Sequence, residues 1–387
     1  MKKMRKFIVA VCCVAVTALS LFVSCSKSEA VSDEKEITIG IVAPLSGNVA
    51  VYGTEALNGI KLAVQEINAA GGWNGKQIKL IIEDDEGNPE KSVNVYKKLT
   101  AKDGVRMIIG SLTSGCVQAM TGLAQMQKVL VIAPAATMPS ITDAGDFIFR
   151  MCFIDPFQGR VMGEYAKKNL GFNTAAVLYD PGSDYSSGLY ESFTKAFEQS
   201  GGKIVAAESY AGGDKDFNAQ LTKIKSTNPE CIYLPDYYAT VMLIAKQLRA
   251  QGITAQLLGG DGWAGIQEYA GEELEGAYFS DHYIADSKDP AVVKFVSVYR
   301  DAYKQTPTAF AVLGYDSVYL LGDAIKKTNS TDPSVLKDTL ATMEGQYVTG
   351  KLRFDSKRNP IKAMVVVGLT KNAEGKVATV YKDTVNP

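Results

Sequence analysis

The sequence predicts an α/β protein made of two doubly wound units, each with a parallel sheet covered by helices on both faces. Short apolar runs of strand length alternate with longer segments of helical periodicity. This alternation begins at Ile37, and a similar series starts again at Ala175. The chain has 387 residues, more than one hydrophobic core usually serves, so two lobes are expected.

The first unit contains four predicted strands that alternate with three predicted helices. In the first helix Ala56, Ile60, Val64 and Ile67 share one face, and the pattern stops at the glycines 71–72. Buried strands joined through helices form parallel sheets. The predicted strands are 38–42, 79–83, 105–109 and 130–133, and the predicted helices are 55–70, 89–101 and 118–127.

The second unit repeats this alternation, and a mostly helical segment follows Asp289. Its predicted strands are 175–179, 203–208, 231–234 and 257–258, with helices 186–200, 217–226 and 241–250. The remaining predicted elements are helices 291–303, 309–327 and 333–343, and strands 364–369 and 377–381.

Charge and composition remove several functional classes. The 41 basic and 42 acidic residues leave a net charge of −1, so there is no basic field to hold a nucleic acid. The single histidine, His282, excludes a histidine-rich metal centre, and any histidine-dependent catalysis would depend on it alone. Because His282 follows a strand end, we expect a surface or hydrogen-bonded structural role. No metal or cofactor is predicted.

The N-terminus is typical of a bacterial lipoprotein signal. A cationic start precedes an apolar run over 7–23, and the run ends in Leu21-Phe22-Val23-Ser24-Cys25. This ending resembles a lipobox, although Phe22 stands where the family usually has leucine. The resemblance implies cleavage after residue 24 and a lipid on Cys25, followed by a polar tether over 25–36. The alternative is a membrane-spanning anchor, since the run approaches the length needed to span.

Polar loops follow the strands of both units and predict a ligand site, because ligands bind beyond the carboxyl ends of parallel strands. In the first unit these loops are neutral and rich in hydroxyls and glycine, which suits an anion at a helix start. In the second unit the loops carry acidic residues, which suit a cationic group, and aromatic residues, which suit an apolar part of a ligand. A ligand with a carboxylate, an ammonium and a side chain would match both sets. The loops are 44–52, 110–115, 133–137, 180–185, 235–238 and 259–263.

At these loops the sequence resembles the leucine/isoleucine/valine-type solute-binding proteins of ABC importers, in the type I periplasmic binding protein family. The landmarks occur in order: IGIVAPLSG with VYG, GGWNGKQIKL, IIGSLTSG, APAATMPSIT, DYSSG, PDYY and GGDGW. The resemblance implies two Rossmann-like lobes, joined by three hinge strands, that close on an amino acid without catalysis. It also implies an extracytoplasmic protein that delivers a branched-chain or similar apolar amino acid to a membrane permease.

The resemblance assigns the two charged ends of the ligand to four residues. Ser114 and Thr137 would bind the ligand carboxylate through hydroxyl and backbone N–H groups. The carbonyl of Ala135, together with Asp261, would receive the ammonium. The acid at position 261 is often glutamate in the family, and aspartate is one methylene shorter.

The resemblance also assigns the apolar part of the site and the hinge. Tyr185 and Tyr237 would clamp the ligand from the second lobe, while Tyr52 and Phe310 would line the side-chain pocket. The chain would cross the hinge near Asp155, Ala285 and Ile361. The implied lobes are 36–155 with 286–361, and 156–285 with 362–387.

Three alternatives stay open from the sequence. The same fold could serve a receptor-type sensor, or the ligand could be an amide, urea or another small carboxylate. The segment 260–265 matches G-x-G-x-x-G, and Asp281 follows at a suitable distance, which would indicate a dinucleotide-binding oxidoreductase. The bulk of Trp263 argues against that alternative.

Overall fold

A five-stranded parallel sheet lies at the centre of the first lobe in the computed structural model, which describes residues 36–387. Its strand order is β2-β1-β3-β4-β5. The four strands predicted for the first unit are confirmed, whereas β5 is only three residues long and was not predicted. The strands are β1 Glu36–Ala43, β2 Gln77–Asp84, β3 Met107–Gly110, β4 Leu130–Ala133 and β5 Ile148–Arg150.

Three helices connect the first four strands, and two of them begin earlier than predicted. They are α1 Ala50–Ala69, α2 Pro89–Lys97 and α3 Ser114–Gln127. The early start of α1 places Tyr52 on the helix rather than in the preceding loop. The early start of α3 places Ser114 in its first turn, where backbone N–H groups have no partner within the helix.

A seven-stranded sheet with the order β15-β14-β10-β9-β8-β6-β7 forms the centre of the second lobe. The strands from β6 to β10 pair in parallel, and β14 and β15 add antiparallel edges. No range was predicted for β10, although the strand end expected before His282 is the end of β10. The strands are β6 Thr174–Tyr179, β7 Lys203–Ser209, β8 Cys231–Leu234, β9 Gln256–Gly259, β10 Tyr278–Asp281, β14 Met364–Lys371 and β15 Val377–Val385.

The helices of the second lobe fall at the predicted places, with one addition before β6. That addition is α4, which begins immediately after the first predicted hinge crossing. Pro156 stands in its first turn, where a missing N–H costs nothing. The helices are α4 Asp155–Lys168, α5 Asp184–Gln199, α6 Asn218–Thr227 and α7 Tyr238–Ala250.

The segment between β10 and β14 contains three helices and a small antiparallel sheet that was not predicted. The predicted helix 333–343 ends at Leu340, and the chain then forms the sheet with the order β11-β12-β13. These elements are α8 Pro290–Tyr303, α9 Ala309–Thr328, α10 Pro333–Leu340, β11 Glu344–Tyr347, β12 Gly350–Phe354 and β13 Pro360–Ile361.

Helix α9 packs closely on α1, so this late segment shares a core with the first sheet. A Cβ atom on Gly59 would lie only 1.8 Å from the carbonyl oxygen of Ala311, and therefore only glycine allows this approach. Buried residues of the segment 292–352 join one hydrophobic cluster with those of 37–152. The residue bounds of the lobes given above stay a prediction.

The first and third predicted hinge crossings are tied together by a buried lysine. The Nζ atom of Lys362 donates to the carbonyl of Met151 at 3.3 Å and to Oγ1 of Thr349 at 2.6 Å. Burial lowers the pKa of Lys362 to about 8. Among residues 36–387, which form one compact unit, no helix is both long and apolar enough to span a membrane. The predicted signal, Cys25 and nearly all of the tether lie outside the described residues.

Candidate ligand-binding site

Asp261 is a buried carboxylate whose hydrogen-bond donors all carry no formal charge. It follows β9 in a short 3₁₀ turn, and its exposed fraction is 5%. Oδ1 accepts from the Tyr185 hydroxyl at 2.9 Å and from Nε2 of Gln158 at 3.1 Å. Oδ2 lies 3.2 Å from Nε2 of His282, and within the described chain no lysine or arginine forms an ion pair with Asp261.

His282 is neutral at physiological pH in this environment. Its ring stacks on Phe153 with centroids 3.8 Å apart, and burial lowers the pKa of His282 to about 4. A carboxylate only accepts hydrogen bonds, so Nε2 carries the imidazole proton and donates it to Asp261. Of the two positions expected for His282, at the surface or in a hydrogen bond, the structure has the hydrogen-bonded one, and the side chain is buried.

The two glycines beside Asp261 let other groups approach it. A Cβ atom on Gly262 would lie 2.8 Å from the Tyr185 hydroxyl and 3.1 Å from the carbonyl oxygen of Asp236. That hydroxyl also accepts from the backbone N–H of Gly262 at 2.8 Å. Because Gly260 and Gly262 have no side chains, the Tyr185 hydroxyl can bond both to the backbone of this turn and to the Asp261 carboxylate.

Gln158 links Asp261 to a second buried carboxylate, that of Asp155. The amide Nε2 donates to Oδ1 of Asp155 at 3.0 Å, while Oε1 accepts from the N–H of Asp261 at 3.2 Å and from the hydroxyl of Ser280 at 2.8 Å. Burial raises the pKa of Asp155 to about 7. Its Oδ2 has no hydrogen-bond partner in the described part of the chain.

The predicted first-lobe residues lie next to this network. The Asp155 N–H donates to the carbonyl of Thr137 at 3.1 Å, so the 133–137 loop meets the start of α4. The Thr137 hydroxyl is buried and lacks a partner among residues 36–387. Ser114 Oγ accepts from the N–H of Met138 at 3.3 Å, which joins the α3 start to the same loop. Ala135, in that loop, is also buried.

The predicted aromatic residues form one cluster that crosses between the lobes. Tyr52 stacks on Phe310 with centroids 4.0 Å apart and meets Tyr237 edge-on at 5.8 Å. Tyr237 in turn stacks on Tyr185 at 5.0 Å. The Tyr52 hydroxyl donates to the carbonyl of Gly262 and accepts from the Tyr238 N–H at 3.0 Å. A first-lobe side chain is therefore bonded directly to second-lobe backbone.

A cavity of about 630 Å³ lies beside this cluster, between the loops of the two lobes. Its lining includes Tyr185 and Tyr237 and residues from the first turns of α3 and α5. Asp236, an acid in this lining, is engaged by the Tyr210 hydroxyl and by the N–H of Tyr237 at 2.6 Å. The donors of Asp236, like those of Asp261, therefore carry no formal charge.

The structure thus brings the predicted residues into two joined groups, one polar and one aromatic. Tyr185 belongs to both groups. Sequence reasoning missed Gln158 and the contact of His282 with the site, because their partner Asp261 lies 103 and 21 positions away along the chain. The only sequence signal for Gln158 is its place one turn after the Asp155-Pro156 helix start.

The glycine pattern at 260–265 does not have the context that a dinucleotide-binding motif needs. Such a motif requires a long helix directly after the loop, whose N-terminus holds the pyrophosphate. Here two 3₁₀ turns of three residues each follow β9, at Asp261–Trp263 and Ile266–Glu268. The Trp263 ring is fully buried and donates from Nε1 to the carbonyl of Leu234 at 3.0 Å.

Comparison with known proteins agrees with the two-lobed architecture. The model of the periplasmic binding protein family matches residues 36–374. A leucine-, isoleucine-, valine-, threonine- and alanine-binding protein of Pseudomonas aeruginosa is 33% identical over 330 residues, which cover 83% of this chain and 86% of the relative.

Two solved structures resemble the whole described fold. The leucine-binding protein LivK of Thermotoga maritima is 32% identical with a TM-score of 0.85, covering 91% of this chain and 99% of the other. The branched-chain amino acid transporter substrate-binding protein LivJ of Streptococcus pneumoniae, solved with isoleucine, is 34% identical with a TM-score of 0.83. That match covers 91% of this chain and all of the other.

The two-lobed fold, the match to the family model and the similar solved structures together define a binding protein of the type I architecture. The chain belongs to the periplasmic binding protein family, in its leucine/isoleucine/valine type. The fold and family expected from the sequence are therefore confirmed. The roles of the eight predicted site residues stay predictions.

Proposed function

We propose that this protein captures a branched-chain or similar apolar amino acid outside the cytoplasm and delivers it to the permease of an ABC importer. The observation that carries the proposal is the buried Asp261 carboxylate, which has only neutral donors. Relatives named for leucine, isoleucine and valine binding support the ligand class. We expect binding and release without catalysis.

The Asp261 carboxylate needs a cation that the described chain does not supply. An isolated buried charge costs several kcal/mol unless it is paired. The ammonium of an amino acid would supply the missing charge, and the carbonyl of Ala135 would accept from the same ammonium. The Thr137 hydroxyl, which has no partner among the described residues, would instead donate to the ligand carboxylate.

The ligand carboxylate would bind at the start of α3. Backbone N–H groups at a helix start favour an anion, and the Ser114 hydroxyl adds a donor. Ser114 and Thr137 lie on neighbouring loops that are joined through Met138. The two ligand charges are thus received at adjacent positions, as an α-amino acid requires.

The ligand side chain would contact the aromatic cluster. Tyr52, Phe310 and Tyr237 present ring faces and edges there, which favour an apolar body over a charged one. Tyr185 and Tyr237 close over the ligand from the second lobe. Since a ligand between the lobes contacts both of them, it stabilises the closed state.

The proposed lipid on Cys25 would hold the protein at the outer face of a membrane. The lipobox-like sequence and the following polar segment support this part of the proposal. Mass spectrometry of the protein from its native membrane tests it. An N-terminal peptide that begins at residue 25 with a lipid on its thiol is expected, whereas an unprocessed N-terminus would contradict it.

The decisive experiment is calorimetric titration of the chain beginning at Ser26, unfolded and refolded to remove carried ligand. Leucine, isoleucine, valine, phenylalanine, glutamate and an amide are tested on wild type, Asp261→Ala and the control Asp301→Asn. Asp301 is an exposed acid on α8. We expect tight binding of an aliphatic amino acid by wild type and control, weakened at least about a hundredfold in Asp261→Ala.

Failure of all free amino acids to bind wild-type protein would contradict the proposed ligand class. It would favour an amide, another small carboxylate, or a sensory role in which the closed protein signals to a partner. If wild type and Asp261→Ala bind the amino acid equally well, the proposed ligand class stands, but Asp261 is not the ammonium acceptor.

A further inference from the structure

Among residues 36–387, His282 holds the half of the Asp261 carboxylate that no other side chain holds. Tyr185 and Gln158 both donate to Oδ1, whereas in this part of the chain Oδ2 receives only the His282 Nε2–H, at 3.2 Å. Because both oxygens move together when the carboxylate rotates about its Cβ–Cγ bond, a donor on Oδ2 narrows the rotation that the two donors on Oδ1 still permit. The histidine therefore restricts the rotation of the whole carboxylate.

The histidine is itself held in place by its surroundings. Its ring stacks on Phe153, and its backbone N–H donates to Oδ1 of Asp281 at 2.7 Å. It follows β10 directly, close to the second predicted hinge crossing. A side chain that is stacked, buried and next to a strand end has little freedom to move, which is what a positioning residue requires.

We propose that His282 positions the Asp261 carboxylate for the ligand ammonium while leaving its negative charge uncompensated. This inference rests on the proposed function. A lysine or arginine at the same place would also orient the carboxylate, but it would neutralise the charge and compete with the ligand. A neutral imidazole orients without competing, so the full charge of Asp261 stays available for the ammonium.

Burial keeps the imidazole neutral over the range in which binding is measured, against the opposing effect of the Asp261 carboxylate. Burial lowers its pKa, the adjacent Asp261 raises it, and the cation of Lys362 on the neighbouring crossing lowers it again. The Asp281 side chain accepts from the His282 backbone N–H, and burial raises the pKa of Asp281 well above its usual range, which favours its neutral acid.

The test compares two substitutions and two ligands by calorimetry. His282→Leu removes the donor with an apolar side chain, and His282→Gln restores a neutral N–H donor. Leucine carries the ammonium, whereas 4-methylpentanoate is the same molecule without it. We expect His282→Leu to weaken leucine binding roughly tenfold to a hundredfold, with His282→Gln restoring most of it. Binding of 4-methylpentanoate should change less than threefold or so between wild type and His282→Leu.

A loss in His282→Leu that is equal for both ligands would overturn the inference, because the effect would then not depend on the ammonium. Unchanged leucine binding in His282→Leu would overturn it as well. In both cases the proposed function still stands, provided that the wild-type protein binds leucine. If wild type binds no amino acid, the proposed function fails and this inference fails with it.

A second measurement uses the unsubstituted protein and does not depend on the folding of a variant. His282 is the single histidine of the sequence, so the imidazole ¹⁵N resonances of a chain carrying no histidine tag belong to it alone. We expect a neutral imidazole protonated on Nε2 down to about pH 5, with a larger shift on adding leucine than on adding 4-methylpentanoate. Protonation on Nδ1, or a cationic ring at pH 7, would overturn the inference.

Discussion

At the scale of single residues, the site concentrates buried carboxylates that form no ion pair with a lysine or arginine of the described chain. Asp155 is fully buried with one oxygen unpartnered in the described chain, and Asp261 has only neutral donors. Groups of this kind cost folding free energy, and they are retained where function needs them. At these residues, a change that stabilises the folded protein is therefore expected to weaken ligand binding.

Asp155 should make the stability of the ligand-free protein depend on pH. Burial raises the pKa of Asp155 from 3.8 to about 7, so the folded state holds a proton that the unfolded chain has released. The protonated Asp155 does not destabilise the folded state below about pH 4. As the pH rises towards 7, the free energy of unfolding falls, because the unfolded chain releases this proton more readily than the folded state does. Asp155→Asn cannot ionise, so we expect it to gain stability over wild type between pH 4 and pH 8, by about 4 kcal/mol.

Denaturant unfolding of ligand-free wild type and Asp155→Asn, measured at several pH values, tests this expectation. The exposed Asp301→Asn is the control for the change in net charge. A difference in unfolding free energy between wild type and Asp155→Asn that does not vary with pH would contradict it.

At the scale of elements, the loops at strand ends decide how closely the site residues approach one another. The turn after β9 places Asp261 between two glycines, and the Tyr185 hydroxyl lies in the space that a side chain on either glycine would occupy. The turn and α5 are therefore fitted to each other at this point.

Gly262→Ala should displace Tyr185 and weaken leucine binding at least about tenfold, because the new Cβ atom would lie 2.8 Å from the hydroxyl that donates to Asp261. The matched control is Gly122→Ala on the exposed side of α3, where no atom lies within 4 Å of the added Cβ. The control should leave binding unchanged and stabilise the helix by roughly 0.5–1 kcal/mol. Calorimetry and thermal unfolding of both variants measure these effects, and wild-type affinity in Gly262→Ala would disprove the argument.

The elements that the sequence predicted are the ones with a long or repeated apolar pattern. Helix α9 and the alternating strands of both units were found because their periodicity extends over whole elements. The strands β5, β11 and β13 were missed because they are not continuous apolar runs bounded by turns: β11 reads EGQY, β13 begins with proline and β5 ends in Arg150. The site residues on loops could be predicted because they follow the ends of predicted strands. The hydrogen bond between His282 and Asp261 could not, because it depends on tertiary packing that the spacing of residues along the sequence does not reveal.

At the scale of the whole molecule, the two lobes meet through protein contacts as well as through the proposed ligand. The Tyr52 hydroxyl, on α1 of the first lobe, bonds to the carbonyl of Gly262 and the N–H of Tyr238 in the second. Because these bonds join residues of different lobes, separation of the lobes at this point would break them. They therefore add to the stability of the closed state, whichever ligand is bound.

Tyr52→Phe keeps the ring that stacks on Phe310 but removes both hydrogen bonds across the lobes. We expect leucine affinity to fall roughly threefold to tenfold, because the closed state loses about 0.5–1.5 kcal/mol relative to the open one. Tyr303→Phe is the matched control, since its hydroxyl donates to the carbonyl of Asn58 at 2.9 Å within the first lobe. Calorimetry gives the affinities, and small-angle scattering gives the fraction closed at subsaturating leucine. If Tyr52→Phe and Tyr303→Phe both bind leucine as wild type does, the bonds across the lobes contribute nothing to closure, and the ligand alone holds the lobes together.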